Sequence, residues 1–138
     1  MRAVLDPNIL ISALLSRSGA PAQIVGRWLA GEFELIVSDV LLAELERALA
    51  YPKLRARIAS GDAGEFVALL RHAAIIAPDR PAPPRRSPDP GDDYLLALAE
   101  GQGALLVSGD QHLLGLADRF PVRTPRAFLE ALERGLSE

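Results

Sequence analysis

Met1-Arg2-Ala3-Val4-Leu5-Asp6-Pro7-Asn8-Ile9-Leu10 is the stretch on which the fold turns. Residues 3–5 are a short apolar run that reads as a buried strand. Asp6 ends the run, Pro7 cannot continue a central strand, and Asn8 opens a second apolar run. An acid at that point matters because open parallel α/β sheets bind their ligands at the carboxyl ends of their strands. Such a sheet needs strands and helices to alternate along the rest of the chain. A ligand site at its edge needs further polar groups to arrive beside Asp6.

Alternation is visible throughout. Residues 8–16 and 20–30 read as helices, broken by Ser18-Gly19-Ala20-Pro21, and residues 33–37 as a short strand. Ser38 is suited to N-cap a helix over residues 39–50, whose apolar positions are Val40, Leu41, Leu45 and Leu49. Tyr51-Pro52 ends it, residues 54–60 and 63–72 read as helical, and residues 73–77 as a strand. The segment from Pro78 to Pro90 is rich in proline, so it is stiff and extended, yet too short for a domain linker. A helix over 92–100, a strand over 104–108, a short helix over 111–116, an edge strand over 122–124 and a closing helix over 125–134 complete the pattern. The expected architecture is one α/β domain over residues 1–138: a three-layer α/β/α sandwich around a mostly parallel sheet.

Composition narrows the function classes. The 138 residues, 49% hydrophobic and 24% charged, suit a single globular core. Aromatic residues make up only 5%, which argues against a base-stacking platform for single strands. Cysteine is absent, so thiolate metal sites, disulfides and cysteine nucleophiles are excluded. Only His72 and His112 are available as imidazoles, which argues against a multi-histidine metal site. No apolar stretch is long enough to span a bilayer and no signal peptide is visible, so no membrane association and a cytoplasmic location are expected. The net charge of −3 does not advertise nucleic-acid binding. Cations bound by clustered acids would nevertheless leave the remaining surface close to neutral or basic.

Acids recur at strand ends and helix starts. Asp6 follows the first strand, and Glu44 lies within about two turns of the start of the helix after the second. Asp92 and Asp93 open the helix after the proline-rich segment, and Asp110 follows the strand over 104–108 across Gly109. Right-handed crossovers bring these points to one edge of a parallel sheet. Each acid alone has a plainer reading: Asp6, Asp92 and Asp110 as N-caps, Glu44 as a solvated helix residue like Glu46.

Taken in order, these motifs resemble the PIN-domain nucleases, in particular the bacterial toxin components of toxin–antitoxin pairs. The resemblance is carried by Leu5-Asp6-Pro7-Asn8, by Ser38-Asp39-Val40-Leu41-Leu42-Ala43-Glu44-Leu45, and by Asp89-Pro90-Gly91-Asp92-Asp93 before a Leu/Ala-rich helix. Ser108-Gly109-Asp110 with the Leu113-Leu114 pair completes it. Family members often carry Thr or Ser where Pro7 stands, which removes a hydroxyl, and Thr where Ser108 stands, which keeps one. Of the twin acids, Asp92 fits the family position, and Asp93 replaces it if the helix register differs by one.

Crowded carboxylates repel one another and raise at least one pKa, and hard oxygen donors at this density suit one or two Mg²⁺ or Mn²⁺ ions. The expectation is metal-dependent hydrolysis of an RNA phosphodiester. Asp6, Glu44, Asp92, Asp110 and, by the register ambiguity, Asp93 are the metal ligands, with Asn8 and Ser108 in support. The resemblance further implies an RNA substrate, an antitoxin partner and a homodimer. Arg80, Arg85 and Arg86, or Lys53, Arg55 and Arg57, are candidate phosphate contacts, against the alternative of solvated charges. His112 follows Asp110 closely but reads better as a surface residue at a helix start, His72 lies outside the site, and Trp28 reads as core in preference to a dimer contact.

One competing reading is a non-catalytic PIN-like module that binds RNA or protein. Another is an aspartyl phosphotransferase or a receiver domain. The first of these would want a second Asp where Asn8 stands, and the second a late strand-end Lys, whereas Lys53 is the only lysine.

Overall fold

The computed structural model describes residues 1–137. Its strands are β1 (Arg2–Leu5), β2 (Glu34–Val37), β3 (Ile75–Ile76), β4 (Leu105–Val107) and β5 (Val122–Arg123). Its helices are α1 (Pro7–Leu15), α2 (Ala20–Leu29), α3 (Asp39–Leu49), α4 (Pro52–Arg55), α5 (Ser60–Ala73), α6 (Asp93–Gly101), α7 (Gln111–Leu114) and α8 (Pro125–Ser137), with a 3₁₀ turn over Pro90–Asp92. The strands form one sheet in the order β3-β2-β1-β4-β5, and every pairing is parallel.

That order explains the apolar run at the N-terminus. β1 is the central strand, and Ala3, Val4 and Leu5 are all fully buried, so layers of helix cover both faces of the sheet. Three-layer α/β/α architecture follows, as the alternating pattern predicts. The core continues through Leu10, Ile24, Leu41, Leu42, Leu45, Leu70, Leu95 and Leu106, each of which stabilises the fold by about 1.5–3 kcal/mol on burial. Phe33 and Phe128 meet edge to face at 5.0 Å, and Trp28 on α2 belongs to the same core.

The chain runs outward from β1 to β2 and β3, then returns to lay β4 and β5 on the opposite side of β1. The seam between β1 and β4 is therefore the switch point of the sheet, where a crevice opens outside the carboxyl ends of the strands. Leu5 pairs with Val107 in the last register position of that seam, so Asp6 and Ser108 emerge side by side.

Several elements differ from the expectation in their limits. α1 starts at Pro7, because the first helical position needs no N–H and Asp6 caps it. α4 begins at Pro52 and is a single turn, while α5 begins at Ser60. The strand expected over 73–77 shrinks to Ile75–Ile76, since Ala73 completes α5 and Pro78 brings no N–H to the ladder. α6 begins at Asp93, so Asp92 belongs to the preceding 3₁₀ turn, which Asp89 caps through Gly91 N–H at 2.9 Å. Among the described residues no single helix is long and apolar enough to cross a membrane.

Candidate functional site

The seam fixes one half of the site. The Asp6 N–H donates to the Val107 carbonyl at 3.0 Å, extending the β1–β4 ladder by one bond. Asp6 Oδ1 accepts from the Asn8 N–H at 3.0 Å, and Oδ2 accepts from Ser108 Oγ at 2.8 Å. Ser108, fully buried, also accepts from the Asp110 N–H at 3.0 Å, so one hydroxyl ties both strand-end acids together. Asp110 Oδ1 in turn accepts from the His112 N–H at 2.8 Å and caps α7. Burial pushes the Asp6 carboxyl above its ordinary pKa, the hydrogen bonds from Asn8 and Ser108 pull against that, and the Asp110 charge adds to the rise.

The other half is less tied. Asp92 makes no capping hydrogen bond, and its Oδ2 is buried without a donor among the described residues. Its carboxyl is pushed up to about 7, first by burial and then by the negative charges of Asp89, Asp110, Asp6 and Glu44. Asp6, Glu44, Asp89 and Asp110 thus all lie within electrostatic reach of Asp92, although Asp6, Glu44, Asp92 and Asp110 come from four separate segments of the chain. The N-cap reading thus holds for Asp6 and Asp110 but not for Asp92.

Asp93 and Asn8 meet different partners. Asp93 is 2% exposed and turns into the proline-rich segment, where Oδ1 accepts from the N–H groups of Arg86 at 3.0 Å and Ser87 at 2.7 Å. Its Oδ2 lies 3.7 Å from the Arg85 guanidinium. Of the twin acids, the helix register turns Asp93 to the loop, whereas Asp92 lies within electrostatic reach of Asp6, Glu44 and Asp110. Asn8 meets Asp6 through its backbone N–H, while its side chain, on an exposed residue, makes no hydrogen bond to any described residue.

Tyr94 is the contact that the motifs do not announce. From the first turn of α6 its hydroxyl donates to Glu44 Oε2 on α3. Burial and then the Glu44 carboxylate push the Tyr94 phenol well above its usual pKa, so it stays a protonated donor. Its position directly after the twin acids, in a chain with only two tyrosines, is the one signal that points to it.

The donor set is made of hard oxygens, and it carries an excess of negative charge with one buried oxygen unpartnered. That chemistry fits a hard divalent cation. Among the described residues no three His, Asp or Glu side chains are closed into a ready metal cage.

The basic residues separate into two kinds. Arg86 pairs with Glu100 at 2.9 Å and stacks over the Phe120 ring at 5.1 Å, so it holds the loop in place. Arg80 and Arg85, by contrast, are exposed on the loop that leads to Asp92. Lys53, Arg55 and Arg57 are exposed on and after α4. His72 and His112 are both exposed, the former in the last turn of α5.

The sequence profile of the PIN domain matches residues 2–112. An uncharacterized protein, MJ1680 of Methanocaldococcus jannaschii, is 26% identical over 99% of this chain and 95% of its own length. Among solved structures, PAE2754 from Pyrobaculum aerophilum superposes with a TM-score of 0.65 at 16% identity, covering 97% of this chain and 90% of its own. VapBC2 from Rickettsia felis, bound to a DNA fragment from its promoter, superposes with a TM-score of 0.58 at 14% identity, covering 90% of this chain and 98% of its own. Likeness at that level of identity shows the shared fold, whereas the profile match spans most of the chain and includes all four clustered acids. The protein therefore belongs to the PIN-domain family, whose members are generally nucleases that use divalent metals.

Proposed function

We propose that the protein is a metal-dependent endoribonuclease and the toxin component of a toxin–antitoxin pair. The observation that carries the reading is Asp92 Oδ2, a buried carboxylate oxygen without a donor, among the negative charges of Asp6, Glu44 and Asp110. A divalent cation is the partner that such an oxygen lacks. Asp6, Glu44, Asp92 and Asp110 would hold one or two Mg²⁺ or Mn²⁺ ions, directly or through water. When bound, the metal supplies a charge that acidifies water and stabilises the developing charge on a scissile phosphate.

The chain's own residues do the rest. Ser108 holds Asp6 by the 2.8 Å hydrogen bond and fixes its orientation toward the crevice. Tyr94 restrains Glu44. Arg80 and Arg85, on the exposed loop before Asp92, are placed to meet phosphates of the RNA strand, a contact that weakens with salt. Neither Ser108 nor Asp6 is set up as a nucleophile: Ser108 is buried with its hydroxyl engaged, both Asp6 oxygens accept hydrogen bonds, and the sequence has no cysteine. That arrangement favours attack by water over an aspartyl-phosphate route.

The toxin assignment draws on the resemblance of the motifs and on the fold shared with the VapBC2 protein. An antitoxin would cover the acidic crevice and supply a basic residue to it. A homodimer and a cytoplasmic site of action accompany the same reading. The test is cleavage of RNA by the purified chain with Mn²⁺, compared with EDTA and with the Asp6→Ala and Asp92→Ala proteins. Cleavage that requires the metal and both acids supports the reading, and full activity in Asp6→Ala overturns it. Binding of RNA without cleavage would establish the non-catalytic module instead. Light scattering of the purified protein measures the dimer, and co-expression with the product of the neighbouring gene tests the antitoxin.

A further inference from the structure

We infer that Tyr94 is a positioning residue that fixes the Glu44 carboxylate for divalent-metal binding, an inference that rests on the metal-dependent reading above. The contact joins two helices that the motifs treat separately, with 50 residues of chain between the partners. Glu44 sits in the middle of α3, and its long side chain is only part-buried. Left to itself, such a side chain samples several rotamers, and ordering it opposes metal binding. The Tyr94 hydroxyl takes Oε2 as its acceptor, while Oε1 accepts no hydrogen bond from any described residue. Restraint of one oxygen leaves the other as the donor available to a cation.

Tyr94 also lies within electrostatic reach of Asp6 and Asp92, so the tether is anchored at the acid locus itself. The ring is held in the first turn of α6, next to Asp93, whose carboxylate is locked to the loop by the Arg86 and Ser87 N–H groups. Glu44 is thus referred to a fixed point on α6 and is not free to swing on α3. A hydrogen bond from a neutral phenol orients a carboxylate without neutralising it, which is the work that supporting groups around metal ligands perform.

The test compares the full-length wild-type, Tyr94→Phe, Tyr51→Phe and Asp92→Ala proteins by calorimetric titration with Mn²⁺ alone. Phe keeps the ring and removes only the hydroxyl. Tyr94→Phe is expected to weaken Mn²⁺ binding about tenfold or more, the range for loss of a supporting hydrogen bond at a metal ligand. Its melting temperature without metal should stay close to that of the wild type. Tyr51 is 59% exposed, and its Phe variant should bind as the wild type does. RNA cleavage by Tyr94→Phe should recover as Mn²⁺ is raised to saturation, because the defect is one of affinity. In the unsubstituted protein, Mn²⁺ should perturb the near-ultraviolet absorption of tyrosine, and Tyr94→Phe should lose that perturbation. The spectrum tests the contact even if Phe at this position loosens α6.

Wild-type affinity within twofold in Tyr94→Phe, with Asp92→Ala unable to bind, overturns the role of Tyr94 and leaves the metal site standing. No Mn²⁺ binding by the wild type overturns both.

Discussion

At the β1–β4 seam, Asp6, Ser108 and Asp110 are joined to one another by hydrogen bonds that follow from strand register, whereas Asp92 has a buried oxygen with no donor among the described residues. The seam acids also act as caps, for α1 and α7, and would be held in place by the fold whether or not they bound anything. Asp92 contributes no cap and stands against four other negative charges. Under the proposed function, structure and function coincide in the first group and oppose each other in the second. A carboxylate that costs the fold free energy and returns no hydrogen bond is the stronger pointer to a ligand.

The largest expected effect separates the two groups by activity and stability together. Asp92→Asn should lower ribonuclease turnover by about 10³-fold, the scale of losing a preorganised charge-stabilising group. The same change should raise the melting temperature of the metal-free protein by a few degrees, because it removes a repelled charge. Asp6→Asn should lose activity to a similar degree but with a lower melting temperature, since it weakens the α1 cap and the tie to Ser108. Cleavage assays beside thermal melts check both. A loss of stability in Asp92→Asn would break the comparison.

The next effect distinguishes neighbours. Asp93 is buried and satisfies two loop N–H groups, so Asp93→Ala should destabilise the fold by about 3 kcal/mol, most of it from donors left unpaired. Proteolytic nicking should then concentrate between Pro78 and Pro90. Denaturant melts and limited proteolysis measure the two consequences. An Asp93→Ala protein as stable as the wild type would place the anchoring of the loop elsewhere, with Arg86 on Glu100 and Phe120 as the remaining attachment.

These pairs also show what the sequence could carry. The central strand, the caps at Asp6 and Ser38 and the order of elements are local matters, and apolar runs and turn residues report them directly. The electrostatic reach of Asp6, Glu44 and Asp110 to Asp92 has a topological origin, because parallel crossovers leave few places for strand-end residues to go. Two features were not legible in the sequence. The choice between Asp92 and Asp93 depends on whether the helix starts before or after a 3₁₀ turn, a one-residue matter that rotates side chains by about 100°. Tyr94 was hidden for a different reason: its partner Glu44 is 50 residues away, and a tyrosine in the first turn of an apolar helix reads as core.

A smaller effect probes the seam's rigidity. Ser108→Ala removes the hydroxyl that orients Asp6 and accepts from Asp110, and should reduce metal affinity or cleavage by about 10–100-fold. Ser108→Thr keeps the hydroxyl and should restore most of the loss, within the space that a buried position allows. Equal defects in both variants would show that packing, and not the hydrogen bond, is what the site requires.

The smallest effect is continuous in pH, and its sign is fixed by the raised carboxyls. Asp92 in the fold is pushed up to about 7 from an ordinary value of 3.8, and Asp6 is raised as well. The folded protein therefore binds protons that the unfolded chain has already released. The contribution of these groups to stability is fully present below the ordinary carboxylate pKa, and it is lost as pH rises toward 7. Thermal melts of metal-free protein from about pH 5 to pH 8 should show this component falling, then levelling once Asp92 is ionised. A divalent ion must displace the same proton, so Mn²⁺ binding should tighten with rising pH below 7 and flatten above it. Saturating Mn²⁺ should raise the melting temperature more at pH 8 than at about pH 5, because at the lower pH the proton occupies the carboxylate that the metal needs. Metal stabilisation that is independent of pH would mean that Asp92 is not among the groups the cation engages, and would leave the seam acids to bind it without their repelled partner.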